Sequence, residues 1–416
     1  MTKQPNSALL PTTFYNSPWW LPLVNRAGNT LRLNRLPIAD ISEQSLLVTA
    51  QQRTGLSDFG EERFRASLRV LLDSMEQADL SLTGRVLLRK YCVRLLINRL
   101  RMQDDFKRHP EILQVPIRKP LFITGFPRTG TTLLHHLLSQ DPSSRSPKLW
   151  ELLSPSPPPE PRTIGNDPRI KQAAKFAKQY NIIEPNLAKV HYLSATRIEE
   201  CNYLFQHDFL GDYFRVIADV PAYTEWFRTQ DLMPLYRYYR QQLQLLGWHW
   251  SDKHWVLKSP SHLLGLNMLL ALFPDAGIIQ THRDIHQVLP SQCSLAAITR
   301  KIYSNKVDVK RIGKDRINDL KGLSDRAMQV REKADPARIF DIYYNELVLE
   351  PVGTIRRIYD YFGYDFDPRM ENNINRWLAE NRQHKHGVHQ YSLETFGLNP
   401  IEVDRLFASY KEKFGV

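Results

Sequence analysis

From Ser42 onward, apolar residues recur at helical spacing. Leu46, Leu47 and Ala50 share a face, and Gly55 marks a stop. A second helix is predicted over residues 61–77, with Phe64, Leu68, Leu71, Leu72 and Met75 on one side. A third begins near Thr83 and runs through Leu87, Leu88, Val93, Leu95, Leu96 and Leu100 to about His109. Residues 1–115 therefore read as a helical N-terminal region packing on the core of the protein. Its first 37 residues lack a period and carry Pro11, Pro18, Trp19, Trp20, Pro22 and Pro37. They read as an extended arm that lays its aromatics on the body.

The pattern changes at Pro120. Residues 121–124 form a short apolar run, followed by a glycine-bounded turn and a helical stretch over 131–140 that Asp141-Pro142 closes. Residues 255–257 repeat the run, and Ser261 is expected to cap a helix through Leu263, Leu266, Leu270 and Phe273. Residues 277–281 read as a buried strand leading into a helix from Asp284 toward Arg300. Residues 338–344 read as a strand and 352–362 as a helix. Alternation of this kind predicts an α/β fold over residues 116–416, a P-loop-like parallel sheet flanked by helices. Ligands in such sheets sit beyond the carboxyl ends of the strands. Between these elements lie a proline-rich loop (154–161), a helical insertion over about 165–250 rich in Tyr, Trp and His, and a basic stretch (301–335) expected to be a solvated helical cap.

Of 416 residues, 42% are hydrophobic and 24% charged, which fits a folded globular chain and excludes a disordered or collagenous one. No apolar run approaches the roughly 20 residues of a bilayer crossing. The start, Met1 to Asn6, lacks a secretory apolar core. Cys92, Cys201 and Cys293 are far apart and form no CxxC pair, so no zinc site or disulfide framework is indicated and a reducing cytoplasm is expected. Lys and Arg total 56 against 44 Asp and Glu, a net charge of +12 that favours an anionic partner without choosing among nucleic acid, membrane surface and polyanionic small molecule.

Placement of the charges narrows this. Gly125-Phe126-Pro127-Arg128-Thr129-Gly130-Thr131-Thr132 lies between a predicted strand and a predicted helix. Its glycines allow backbone N–H groups to turn inward, and the helix N-terminus adds partial positive charge. This is an anion cradle with Walker A glycine spacing, but Thr131 stands where the Walker lysine belongs. That lysine reaches the β- and γ-phosphates of a nucleoside triphosphate, so a P-loop kinase using ATP and Mg²⁺ lacks its main cation here. The cation present is Arg128.

Residues 122–134 resemble the 5′-phosphosulfate loop of sulfotransferases that use 3′-phosphoadenosine 5′-phosphosulfate (PAPS), in particular their large bacterial branch. The resemblance implies that Arg128, Thr129, Gly130, Thr131 and Thr132 bind the donor's 5′ end. Two further segments follow in the family's order. Arg283 ends the strand 277–281 and its tail, and Ser291 follows eight residues later. The resemblance assigns both to the 3′-phosphate, and a guanidinium with a hydroxyl two helical turns on suits that charge. Lys258, ending the run 255–257, is implied to stabilise the oxygen released as the S–O bond breaks. A late basic loop holding Lys385 and His386 is implied to close the 3′-phosphate site, with PAP as the product.

Sulfonyl transfer to a hydroxyl needs a base. Glu151 lies at about the distance where one family branch has its catalytic Glu, with His262 next; a satisfied helix-start histidine is an even alternative for the latter. Glu199 and Glu200 are weaker candidates for positioning the acceptor. The overall expectation is a PAPS-dependent sulfotransferase acting on a hydroxyl of a small molecule, with no metal, nucleic acid or membrane span, and with homo-oligomerisation left open. The competing classes are the ATP-dependent kinase and a basic nucleic-acid-binding protein, which would show an aromatic-lined basic stripe.

Overall fold

The apolar runs after Pro120 become strands of one sheet. In the computed structural model, which describes residues 18–30, 33, 36–250, 252–381 and 392–416, Leu121–Gly125 (β1) is buried at every position. It pairs in parallel with His254–Lys258 (β3) on one side and Gly277–His282 (β4) on the other. Ser144–Arg145 (β2) and Ile339–Tyr343 (β5) complete the order β2-β3-β1-β4-β5. All pairs are parallel, so all five carboxyl ends open on one edge. Near-continuous apolar strands are what burial of both sheet faces requires. Alternate residues serve the two faces: Phe122, Leu257 and Ile278 join one hydrophobic cluster, and Leu121, Ile123, Val256 and Ile279 the other.

The larger cluster is continuous with the N-terminal helices. Trp20–Thr30 (α1), Glu43–Thr54 (α2), Phe64–Glu76 (α3) and Leu82–Arg108 (α4) precede the sheet. In α4, Leu88, Cys92, Leu95, Leu96 and Leu100 are buried in the cluster that holds Phe122. Its start is fixed by Ser81, whose hydroxyl accepts from the Gly84 N–H.

Four sequence expectations change. The arm at 20–30 is helical, and Trp19 and Trp20 point outward, with 81% and 38% exposure. What docks α1 is Leu21 and Gly28, the glycine lying against Leu82 where any side chain would collide. Ser259, not Ser261, opens the segment after β3; its hydroxyl accepts from the Ser261 N–H and starts a 3₁₀ turn, Pro260–Gly265, ahead of the helix Leu266–Leu272. The stretch 301–335 contains the helix Val309–Arg331, one face of which (Ile312, Ile317, Leu320, Ala327) is buried, so it is no solvated cap. Its Arg316 is buried too and pairs with Asp319 at 2.6 Å. Tyr344 begins the helix Tyr344–Leu349 instead of ending β5. Among the described residues, no helix is long and apolar enough to cross a membrane.

Candidate active site

The carboxyl end of β1 runs into the predicted cradle and then into Thr131–Leu138 (α5). Gly125 takes φ +134° and Gly130 φ +92°, both left-handed, and a Cβ at Gly125 would meet Thr281 Oγ1 of β4 at 2.4 Å. Glycine is required at that closest approach of loop and sheet. The Thr129 hydroxyl donates to the Phe126 carbonyl at 2.6 Å and lies 2.5 Å from the Thr281 hydroxyl, which ties the loop to β4. Thr131 is buried, whereas Thr132 is exposed at the first turn of α5. The N–H groups of that turn face the same opening.

Arg128 holds φ +75°, a conformation that costs a non-glycine residue roughly 1 kcal/mol or more. Its exposed side chain donates from Nε to Ser291 Oγ at 3.1 Å and from Nη1 to the Val190 carbonyl at 3.0 Å. Arg283 follows β4 and donates to the Arg128 carbonyl at 3.0 Å and to Gln287 Oε1. Its guanidinium lies 4.0 Å from the centre of the Tyr344 ring. Asp284 is occupied as the cap of the helix Ile285–Tyr303, accepting from the His286 N–H, so its role is structural. Two guanidiniums, the Ser291 hydroxyl and a helix N-terminus thus gather at the β1–β4 edge. This donor set suits a multiply charged anion. Lys385 and His386 lie outside the described residues.

On the other flank, β3 delivers Lys258, only 1% exposed. Its Nζ lies 2.5 Å from Glu200 Oε1 and 3.4 Å from the Thr132 hydroxyl. Glu200 Oε2 also accepts from Asn202 Nδ2 at 3.0 Å. Glu199 pairs instead with His191, Oε2 to Nε2 at 3.2 Å. Burial pushes the Glu199 carboxyl up, but the His191 charge and hydrogen bond, with Lys258 and the Glu200 N–H, pull it down to about 2. Burial lowers His191, and the Glu199 carboxylate more than restores it, leaving the imidazole above its ordinary value. His191, Glu199, Glu200 and Asn202 line a cavity of about 170 Å³ whose walls also include Phe176, Tyr180, Leu187, Leu295 and Pro127 of the loop.

The two expected bases are not part of this arrangement. Glu151 is fully buried at the start of a short helix, Leu149–Leu153. One carboxylate oxygen accepts from Arg145 Nη2 at 2.5 Å and the other from the Lys148 N–H at 2.7 Å. Both of its oxygens are thus engaged, by a buried arginine and a helix end. Glu151→Gln is therefore expected to leave turnover of the folded enzyme intact and to lower stability by about 3 kcal/mol, because Arg145 loses its counter-charge; thermal melting beside an activity assay checks this. His262 is turned inward by the 3₁₀ turn. Its ring nitrogens lie 3.2 Å from Cys201 Sγ and 3.2 Å from the Tyr236 hydroxyl, and Phe122, Phe205 and Tyr239 surround it. Burial pushes it down to about 3, so it is a neutral core histidine. The carboxylate that pairs with Lys258, Glu200, was legible only as one of an acidic pair in an aromatic insertion, and His191 carried no sequence signal. Among the described residues, no cluster of three or more His, Cys, Asp or Glu could hold a metal ion.

This geometry agrees with comparisons to known proteins. The sulfotransferase family matches residues 120–368. The omega-hydroxy-beta-dihydromenaquinone-9 sulfotransferase Stf3 of Mycobacterium tuberculosis (strain CDC 1551 / Oshkosh) is 25% identical over 291 residues, covering 66% of this chain and 70% of that protein. The crystal structure of sulfotransferase STF1 from Mycobacterium tuberculosis H37Rv superposes with a TM-score of 0.80 at 33% identity, over 88% of this chain and 98% of that one. Sulfotransferase STF9 from Mycobacterium avium gives a TM-score of 0.84 at 28% identity, over 91% and 97%. Because the family match runs unbroken from β1 through the cradle and past the strands that bring Lys258 and Arg283, this chain belongs to the sulfotransferase family.

Proposed function

We propose that this sulfotransferase holds PAPS along the β1–β4 edge and passes its sulfonate to a hydroxyl of an apolar small molecule seated in the cavity behind Glu200. The observation that carries this reading is the Lys258–Glu200 pair, in which Lys258 meets the Thr132 hydroxyl and Glu200 lines the cavity. PAPS, the general donor of the family, supplies a sulfonate on a good leaving phosphate; the chain's own groups do the rest. Arg283 and Ser291 bind the 3′-phosphate, with Lys385 and His386 assigned to the same end. Arg128, Thr129, Gly130, Thr131 and Thr132 hold the 5′ end through the loop N–H groups and the guanidinium. Lys258 places a cation where negative charge builds on the departing oxygen. Glu200 takes the proton of the acceptor hydroxyl, and Glu199 keeps His191 fixed beside it.

The mycobacterial relatives are named for an omega-hydroxy acceptor, which supports a hydroxyl as the nucleophile here. The largely aromatic and aliphatic cavity wall supports an apolar body on that acceptor. Nothing favours the kinase alternative, since Thr131 occupies the Walker lysine position. Cys92, Cys201 and Cys293 are free and buried, in keeping with a cytoplasmic setting.

The test is a labelled-PAPS transfer assay against apolar alcohols, run with calorimetric binding of PAP and ATP. PAP is expected to bind and ATP to bind far more weakly. Arg283→Ala should raise the KM for PAPS by about 10–100-fold, the equivalent of one strong charged contact, and move the acceptor KM much less. Equal shifts in both constants, or an undisturbed PAP affinity, would remove Arg283 from the donor site.

A further inference from the structure

The acceptor cavity has two polar features that the reaction does not use. Gln206, 1% exposed, and Gln292, 6% exposed, both line it. Among the described residues, Gln206 Oε1 and Gln292 Nε2 have no hydrogen-bond partner although both atoms are shut off from solvent. Several other polar groups of the wall are satisfied within the protein. Tyr180 and Tyr213 both reach the Tyr303 hydroxyl, at 2.6 and 3.4 Å, and Asn202 donates to Glu200. A buried amide atom left unpaired loses the hydrogen bonds it makes to water in the unfolded chain, so such groups mark a missing partner. Two of them in the wall of one cavity indicate that the partner is what the cavity binds. Gln292 also directly follows Ser291 in the helix Ile285–Tyr303, which sets it next to a residue of the donor side.

We infer that Gln206 and Gln292 form a polar subsite that reads a second oxygen on the acceptor, a carbonyl or hydroxyl distinct from the hydroxyl that receives the sulfonate. The inference rests on the proposed function, since it concerns the acceptor of that reaction. It places the substrate in the class of oxygenated apolar alcohols, apart from plain fatty alcohols. An unpaired amide oxygen calls for a hydroxyl, and an unpaired amide nitrogen for either oxygen type. A site built to hydrogen-bond an oxygen discriminates strongly against the analogue that lacks it, because its own groups then stay unpaired.

The experiment uses the full chain with labelled PAPS and a set of probes sharing one carbon skeleton: dodecanol, and dodecanols bearing a ketone or a second hydroxyl at successive chain positions. At least one oxygenated probe is expected to exceed dodecanol by about tenfold or more in kcat/KM. Gln206→Met and Gln292→Met, close in volume, should each shrink that ratio severalfold, with PAP affinity measured in parallel to show an intact donor site. The inference is overturned if wild type treats dodecanol and every oxygenated probe alike, or if both variants keep the wild-type ratio. If PAP binds but none of the probes is sulfonated, the proposed acceptor class fails. The subsite is then judged by thermal shift in the presence of PAP: stabilisation by oxygenated probes over dodecanol, reduced in the variants, supports it, and equal shifts overturn it.

Discussion

Lys258→Met is expected to lower kcat by about 10²–10³-fold at saturating PAPS, the usual consequence of removing one charge-stabilising donor from a reaction centre. Lys258 is buried, 2.5 Å from Glu200 and within reach of Thr132, so no neighbouring water-borne cation replaces it. Methionine keeps the unbranched stem and removes the charge alone. PAP carries no transferring sulfonate, so its affinity should fall far less than kcat, and this split separates a role in transfer from one in donor binding. A kcat within threefold of wild type would remove Lys258 from the chemistry.

Glu200→Gln is the second large effect, about 10²–10⁴-fold in kcat, the range general-base catalysis contributes. Glutamine preserves shape and keeps one acceptor oxygen of the two, and PAP should bind as before. Glu200 and Lys258 touch, so the double variant should lose less than the product of the two single losses. The competing outcome is specific: His191, held by Glu199 at 3.2 Å, also lines the cavity. If Glu200→Gln turns over normally while His191→Asn does not, the base is the histidine.

The sheet and the cradle were readable because their signals are local. Leu121 to Thr124 needs only its own apolar run to read as a strand, and the loop's glycines and Arg128 lie within eight residues of each other. The placement of Arg283, Ser291 and Lys258 near the loop was legible for a related reason: each is set by the strand end or helix turn beside it. The base proposed here was not legible, since Glu151 and Glu200 differ only in what the fold sets against them. Arg145 and a helix end absorb the first, and Lys258, 58 positions further along the chain, meets the second. The same distance problem hid the inward turn of His262, which depends on Cys201 and Tyr236. Strand β2 is two residues long and gave no period at all.

Arg128 touches two territories with one planar group. It holds Ser291, where the nucleotide's ribose phosphate is assigned, and the carbonyl of Val190, next to His191 at the rim of the other chamber. On the proposed assignments the two reagents would share a hinge pin: a shift of that side chain toward either one would tug on the seat of its counterpart, coupling occupancy on the two sides without any movement of the sheet.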